Sequence, residues 1–133
     1  MKKGFFGDIE KLTLENTNFR KILYTAEHLQ LVVMSLLPSE DIGLETHPDN
    51  DQFLRFERGD GKVIINDKKY LVHDGDVVIV PAGSEHNVIN TSSEHPLKLY
   101  TIYTPPHHQD GMVRKTKEEA IKDDPEFDGK TTE

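Results

Sequence analysis

The chain predicts an all-β protein built from two packed sheets, and three observations carry that prediction. Apolar runs are short, from four to nine residues, and are divided by Gly, Asn, Asp and Pro. Several of the runs alternate, as a half-buried strand does and a helix does not. Helix signals are confined to one stretch near the C-terminus.

The elements follow in order. Phe19 to Thr25 and His28 to Leu36 are two apolar-rich strands joined by a brief link. Pro38-Ser39-Glu40-Asp41 is a loop ahead of a strand carrying Glu45 and His47. Gly59-Asp60-Gly61 is expected to close a hairpin between Phe53–Glu57 and Lys62–Ile65. Asn66-Asp67 and Asp74-Gly75 mark two further turns, since Asn, Asp and Gly tolerate positive φ. The run Val77-Val78-Ile79-Val80, then His86 to Asn90 and Leu97 to Tyr103, complete about ten short strands, a number that fits a jelly roll. Thr116-Lys117-Glu118-Glu119 reads as a capping box opening a short helix, which Pro125 limits. The division expected is an N-terminal arm over 1–18, a barrel over 19–106, and a C-terminal loop, short helix and frayed tail over 107–133.

Composition narrows the function. At 133 residues the chain makes one domain. It has no Cys, which excludes disulfides, thiolate metal sites and thiol nucleophiles. The net charge of -8 opposes nucleic-acid binding, which needs Lys and Arg to neutralise phosphates. The first residues lack the apolar run of a signal peptide, and nothing approaches a membrane span. A cytoplasmic protein with no nucleic-acid and no membrane partner is expected.

Four residues stand out as ligands for one divalent ion: Glu45, His47, Gln52 and His86. Side chains two apart on a strand share a face, so Glu45 and His47 grip one ion together. Gln52, Leu54 and Phe56 share one face of their strand, and His86, Val88 and Asn90 one face of theirs. A polar group on an apolar inner face needs a partner, and an ion supplies one. One carboxylate, two imidazoles and an amide oxygen suit Mn, Fe, Zn or Ni better than Ca or Mg. Gln52 either ligates through its neutral oxygen or hydrogen-bonds a bound water.

The blocks Gly43-Leu44-Glu45-Thr46-His47…Gln52…Gly59 and Gly75…Pro81-Ala82-Gly83…His86…Asn90 closely resemble the two motifs of the cupin superfamily. The second matches at every position. The first departs twice, with Glu45 where a histidine is usual and Gln52 where a glutamate is usual. Together they span about a third of the chain. The resemblance implies a double-stranded β-helix, the jelly-roll cupin barrel, and is similar to small single-domain cupins, some labelled mannose-6-phosphate isomerase-like. It also implies a homodimer. The function expected is metal-assisted isomerisation of a small polar, sugar- or acid-like molecule, with Glu45 the candidate proton carrier. The alternatives are a non-catalytic metal- and ligand-binding module and an Fe(II)-dependent dioxygenase.

Other residues read as scaffold. Gly59, Gly75 and Gly83 serve turns, Pro81 fixes the entry to the His86 strand, and Asn90 is a buried structural hydrogen-bonder. His28, His73 and His95 are solvated, and Glu57, Arg58 and Glu85 are surface charges. Tyr100 and Tyr103 face opposite sides of the last strand, so one lines the cavity. His107 and His108 read as an exposed loop whose adjacent rings point opposite ways, which defeats joint chelation. No cluster of Arg or Lys accompanies the motifs, which weighs against a phosphate substrate.

Overall fold

The computed structural model describes residues 1–133. The elements are α1 (Ile9–Glu15), β1 (Arg20–Thr25), β2 (Gln30–Leu36), β3 (Glu45–Thr46), β4 (Asp51–Arg58), β5 (Asp60–Ile65), β6 (Lys68–His73), β7 (Val77–Val80), β8 (Glu85–Asn90), β9 (Leu97–Thr104), β10 (Val113–Arg114) and α2 (Lys117–Lys122). They form a six-stranded sheet, β10-β1-β2-β9-β4-β7, facing a four-stranded sheet, β3-β8-β5-β6. All pairings within both sheets are antiparallel, as a jelly roll requires.

Alternation places the core as expected. On β4, Gln52, Leu54 and Phe56 are buried while Phe53, Arg55 and Glu57 are only partly so. On β8, His86, Val88 and Asn90 are buried. Leu54, Phe56 and Leu99 from one sheet meet Val63 and Val88 from the other in one apolar cluster. Each such side chain contributes about 1.5–3 kcal/mol by leaving water. The polar residues of the inner face gather toward the ends of the strands, beyond this apolar middle.

The expected hairpin across Gly59-Asp60-Gly61 does not form. β4 pairs with β7 and β9, and β5 pairs with β6 and β8, so the chain changes sheets at Gly59. Gly59 has φ +110°, and a Cβ there would lie 2.8 Å from the Pro96 carbonyl oxygen. Only glycine permits that crossing. The turn at Asn66 does close a hairpin, β5 to β6, with Asn66 at φ 52°.

Both termini carry more structure than expected. The N-terminal arm contains α1, capped by the Asp8 carboxylate, which accepts from the Lys11 N–H at 3.2 Å. At the other end Thr116 caps α2, its Oγ1 accepting from the Glu119 N–H at 3.1 Å, while the Glu119 carboxylate reaches back one residue further than a capping box requires and accepts from the Lys115 N–H at 2.9 Å. The tail beyond Pro125 is not frayed. Thr132 N–H donates to the Thr25 carbonyl at 2.9 Å, and the Glu133 carboxylate accepts from the Lys3 and Gly4 N–H groups and from the Tyr24 hydroxyl. Glu57 is likewise not a plain surface charge: its side chain is 5% exposed and meets Arg55 at 3.0 Å. No helix is long and apolar enough to cross a membrane.

Candidate metal centre

The two short strands β3 and β8 build the centre. Their register places Glu45 opposite His86 and Thr46 opposite Glu85. A directly opposed pair on one face holds its side chains within reach of each other. His47 follows immediately after β3, and its carbonyl accepts from the Gly83 N–H at 2.9 Å, which laces the two blocks together. Gly83 sits at φ 84° in the turn leading into β8, closed by the Ser84 N–H on the Pro81 carbonyl at 3.1 Å.

Glu45, His47 and His86 each present one ligand atom, and those atoms lie within 4.8 Å of one another. Glu45 Oε2 is 3.0 Å from His47 Nε2, a hydrogen-bonded pair whose two atoms would be available to hold a divalent ion. His86 Nδ1 faces the Ser84 carbonyl at 2.9 Å. A carbonyl only accepts, so Nδ1 carries the proton and Nε2 is left with its lone pair for an ion. Burial pushes the Glu45 carboxyl up, but the His47 hydrogen bond and the charges of His47, Arg20 and His86 bring it to a net value below the usual carboxylate range. Glu45 is therefore an anion and ready to ligate.

Gln52 comes from the opposite sheet, where it pairs with Val80 and Tyr103. It is 3% exposed; its Nε2 donates to Thr101 Oγ1 at 3.0 Å, while its Oε1 is buried with no partner. A buried acceptor left unpaired is costly, and ligation of an ion or its water would satisfy it. That orphaned oxygen, the free His86 Nε2 and the anionic Glu45 all fit a divalent metal of the Mn, Fe, Zn or Ni kind.

His107 and His108 are not an exposed loop, contrary to expectation. Gln30 Oε1 accepts from both their N–H groups, at 3.2 and 3.0 Å, and Gln30 Nε2 donates to the His108 carbonyl at 2.8 Å. Asn50 Nδ2 donates to the Pro105 carbonyl just upstream. So held, the His107 ring lies 4.3 Å from the His47 ring and stacks on Tyr103 at 5.3 Å. Burial, then the nearby His108 and His47, push His107 down to about 4, so it is neutral at neutral pH. His108 is 2% exposed; its Nδ1 meets Asp124 at 3.1 Å and its Nε2 has no partner. Tyr103 is the tyrosine that faces inward, its ring centroid 5.7 Å from that of His47 in an edge-to-face arrangement.

Arg20 is a second residue that the motifs do not reveal. It is buried on β1 and shares with Glu45 and α2 a cavity of about 110 Å³. The largest cleft, about 600 Å³ beside Arg58, Asp60 and His95, lies at the opposite end of the barrel and contains none of the ligands. His28, His73 and His95 are solvated, as expected.

Known proteins agree with this architecture. The model of the cupin domain matches residues 32–103. The chain is 48% identical over 125 residues to the uncharacterized protein YrkC of Bacillus subtilis, covering 90% of this chain and 67% of that one. It is 42% identical over 109 residues to the uncharacterized protein L612 of Acanthamoeba polyphaga mimivirus, covering 80% and 68%. The crystal structure of BH2720 from Bacillus halodurans superposes with a TM-score of 0.89 at 44% identity, covering 91% of this chain and 96% of that one. Two antiparallel sheets, the match of the cupin-domain model over more than half of the chain, and these relatives together establish that the chain belongs to the cupin family.

Proposed function

We propose that the protein is a metal-dependent cupin that isomerises a small polar, acid-like molecule. The observation that carries this reading is the Glu45, His47 and His86 cluster, with three donor atoms within 4.8 Å. A divalent ion held there supplies Lewis acidity, which makes a C–H bond next to a carbonyl acidic. The chain's own groups do the rest. Glu45, His47 and His86 would hold the ion, and the unpaired Gln52 Oε1 would accept from a water on it or ligate it.

His107 supports the reading as proton carrier better than Glu45 does, because Glu45 is committed to His47 while His107 is neutral and stacked at the same mouth. The C–H proton passes to His107 and returns to the neighbouring carbon, while the hydroxyl proton moves to the former carbonyl oxygen. No oxidant is consumed. Tyr103 beneath His107 excludes water from that transfer.

The test is wash-out of carbon-bound hydrogen in heavy water, followed by NMR, with glyceraldehyde, dihydroxyacetone and hydroxypyruvate as probes. Metal-dependent exchange, lost in His107→Gln, is the expected result. No exchange with Mn, Fe, Zn or Ni would remove the isomerase reading. Two histidines and one carboxylate also form the donor set that serves dioxygen chemistry on iron, so oxygen uptake by the iron-loaded protein is the second assay. Silence in both would leave a binding module that uses the same site.

A further inference from the structure

We propose that Arg20 is the anchor for a substrate carboxylate, seated in the small cavity between the barrel mouth and α2. This rests on the metal reading above and names the substrate class for that site.

The first observation is a buried guanidinium nitrogen, Arg20 Nε, without a partner. Arg20 is 4% exposed, yet its Nε is buried without a partner. Its charge contact within the chain is Asp124, and that is long, 3.9 Å from Arg20 Nη1. The ring of Phe19 lies 5.3 Å from Arg20 Cζ. A guanidinium offers five donors in a planar fork and is strongly penalised when buried without acceptors. A carboxylate is the ligand whose two oxygens match that fork.

The second observation is where the guanidinium sits. The cavity of about 110 Å³ is lined by Arg20, Ile42, Glu45, Lys117, Ile121 and Asp124 among others. Glu45 lines this cavity and belongs to the metal centre, and in this proposal one small molecule reaches from Arg20 past Glu45 toward the ion. The volume is well below the roughly 300 Å³ at which pockets for drug-sized ligands begin. Set against about 30 Å³ per water molecule, it admits a carboxylate with a short stem and not a sugar phosphate.

Charge makes this subsite conditional on the metal. Arg20 and Lys117 are opposed by Glu45, Asp124 and Asp41, the last paired with Lys117 at 2.6 Å. The balance is one negative charge in excess, which repels an anion. A divalent ion on Glu45 turns it to one positive charge in excess, which attracts one. The carboxylate then sits on Arg20 while a hydroxyl or carbonyl oxygen two bonds away reaches toward the ion. A short 2-hydroxy or 2-oxo acid has that shape.

The test uses the full chain, first titrated with Mn(II) and then, once loaded, with lactate and with its neutral counterpart lactamide, by calorimetry. Lactate is expected to bind about tenfold tighter than lactamide, as a charge-assisted fork demands. That preference should fall below threefold in Arg20→Met and in Arg20→Lys, which keeps the charge but not the fork, with Mn(II) affinity changed less than threefold. Ala120→Leu fills the cavity from α2, on a lining that Ala120 shares with Arg20 and Glu45. It should weaken lactate at least fivefold, and it carries the test if the Arg20 variants do not fold. Equal binding of lactate and lactamide, a preference that survives both Arg20 variants, or lactate affinity unchanged in Ala120→Leu overturns the proposal. Failure to take up Mn(II) at all would instead sink the metal reading, and the first titration separates the two.

Discussion

Glu45 and His86 face each other across the β3–β8 ladder, and that single register brings a carboxylate and an imidazole from two distant stretches of chain to one point. His47 then follows Glu45 by two residues, its Nε2 3.0 Å from Glu45 Oε2. The four-stranded sheet supplies all three of these ligands. The six-stranded sheet supplies Gln52, and through Tyr103 and the segment after it, the histidine that closes the mouth.

Gln52 offers a sharp test of the fourth position. Its Oε1 is buried without a partner, so replacing the amide by a carboxylate should improve ligation of a divalent ion. Gln52→Glu is expected to tighten Mn(II) binding about tenfold, a difference of about 1.4 kcal/mol. Gln52→Leu should loosen it by a similar factor. Titration of both variants checks this, and affinities unchanged in both would place Gln52 outside the coordination sphere.

Acidification should destabilise the metal-free protein in a defined window. Burial lowers His107 from its ordinary 6.5 to about 4 and lowers His108 in the same direction. Between those values the unfolded chain takes up protons that the folded chain refuses, so stability falls as pH drops from about 6.5 toward 4. Urea midpoints measured in chelator at pH 7.5 and 5.0 should differ, lower at the acid end. The difference should shrink in His107→Gln. An equal midpoint at both pH values would contradict the burial assigned to these rings.

Asn90 should matter for stability and not for metal. It is 1% exposed, donates to the carbonyls of Leu36, Leu37 and His95, and accepts from the Ser92 N–H. Asn90→Ala strips several buried backbone groups of partners at once, a loss of about 2–4 kcal/mol. Chemical denaturation reads that loss. Mn(II) affinity should stay within threefold, because Asn90 lies at the far end of β8 from His86.

How much was legible in the chain follows from how local each feature is. Strand alternation at Gln52-Leu54-Phe56 and His86-Val88-Asn90 is a property of neighbouring residues, and it located the inner face. The motif spacing located the ligands' strands. The turn at Asn66 is local chemistry too, and was read correctly. The crossing at Gly59 was not, because a sheet change looks like a hairpin until the partners of β4, which come from β7 and β9, are known. Helix α1, absent from the expected elements, has a local signal in Asp8 before the apolar positions Ile9 and Leu12. His107 and His108 depart from the exposed loop expected because both their N–H groups are drawn to Gln30, a residue some 77 positions away that local pattern does not reveal. Arg20 carries no motif at all. Its importance comes from packing against α2, about a hundred residues further along the chain.

The central claim is that Glu45, His47 and His86 hold a divalent metal. The most direct measurement is elemental analysis of the untagged protein, purified without chelator, beside its His86→Ala variant, with melting curves of both. The account predicts near-stoichiometric metal in the wild type and little in the variant. It also predicts that metal at a hundredfold over its Kd adds about 2.7 kcal/mol to wild-type stability, and that chelator removes the gain. No metal in either protein after soaking and desalting, with melting temperatures indifferent to chelator, would contradict it.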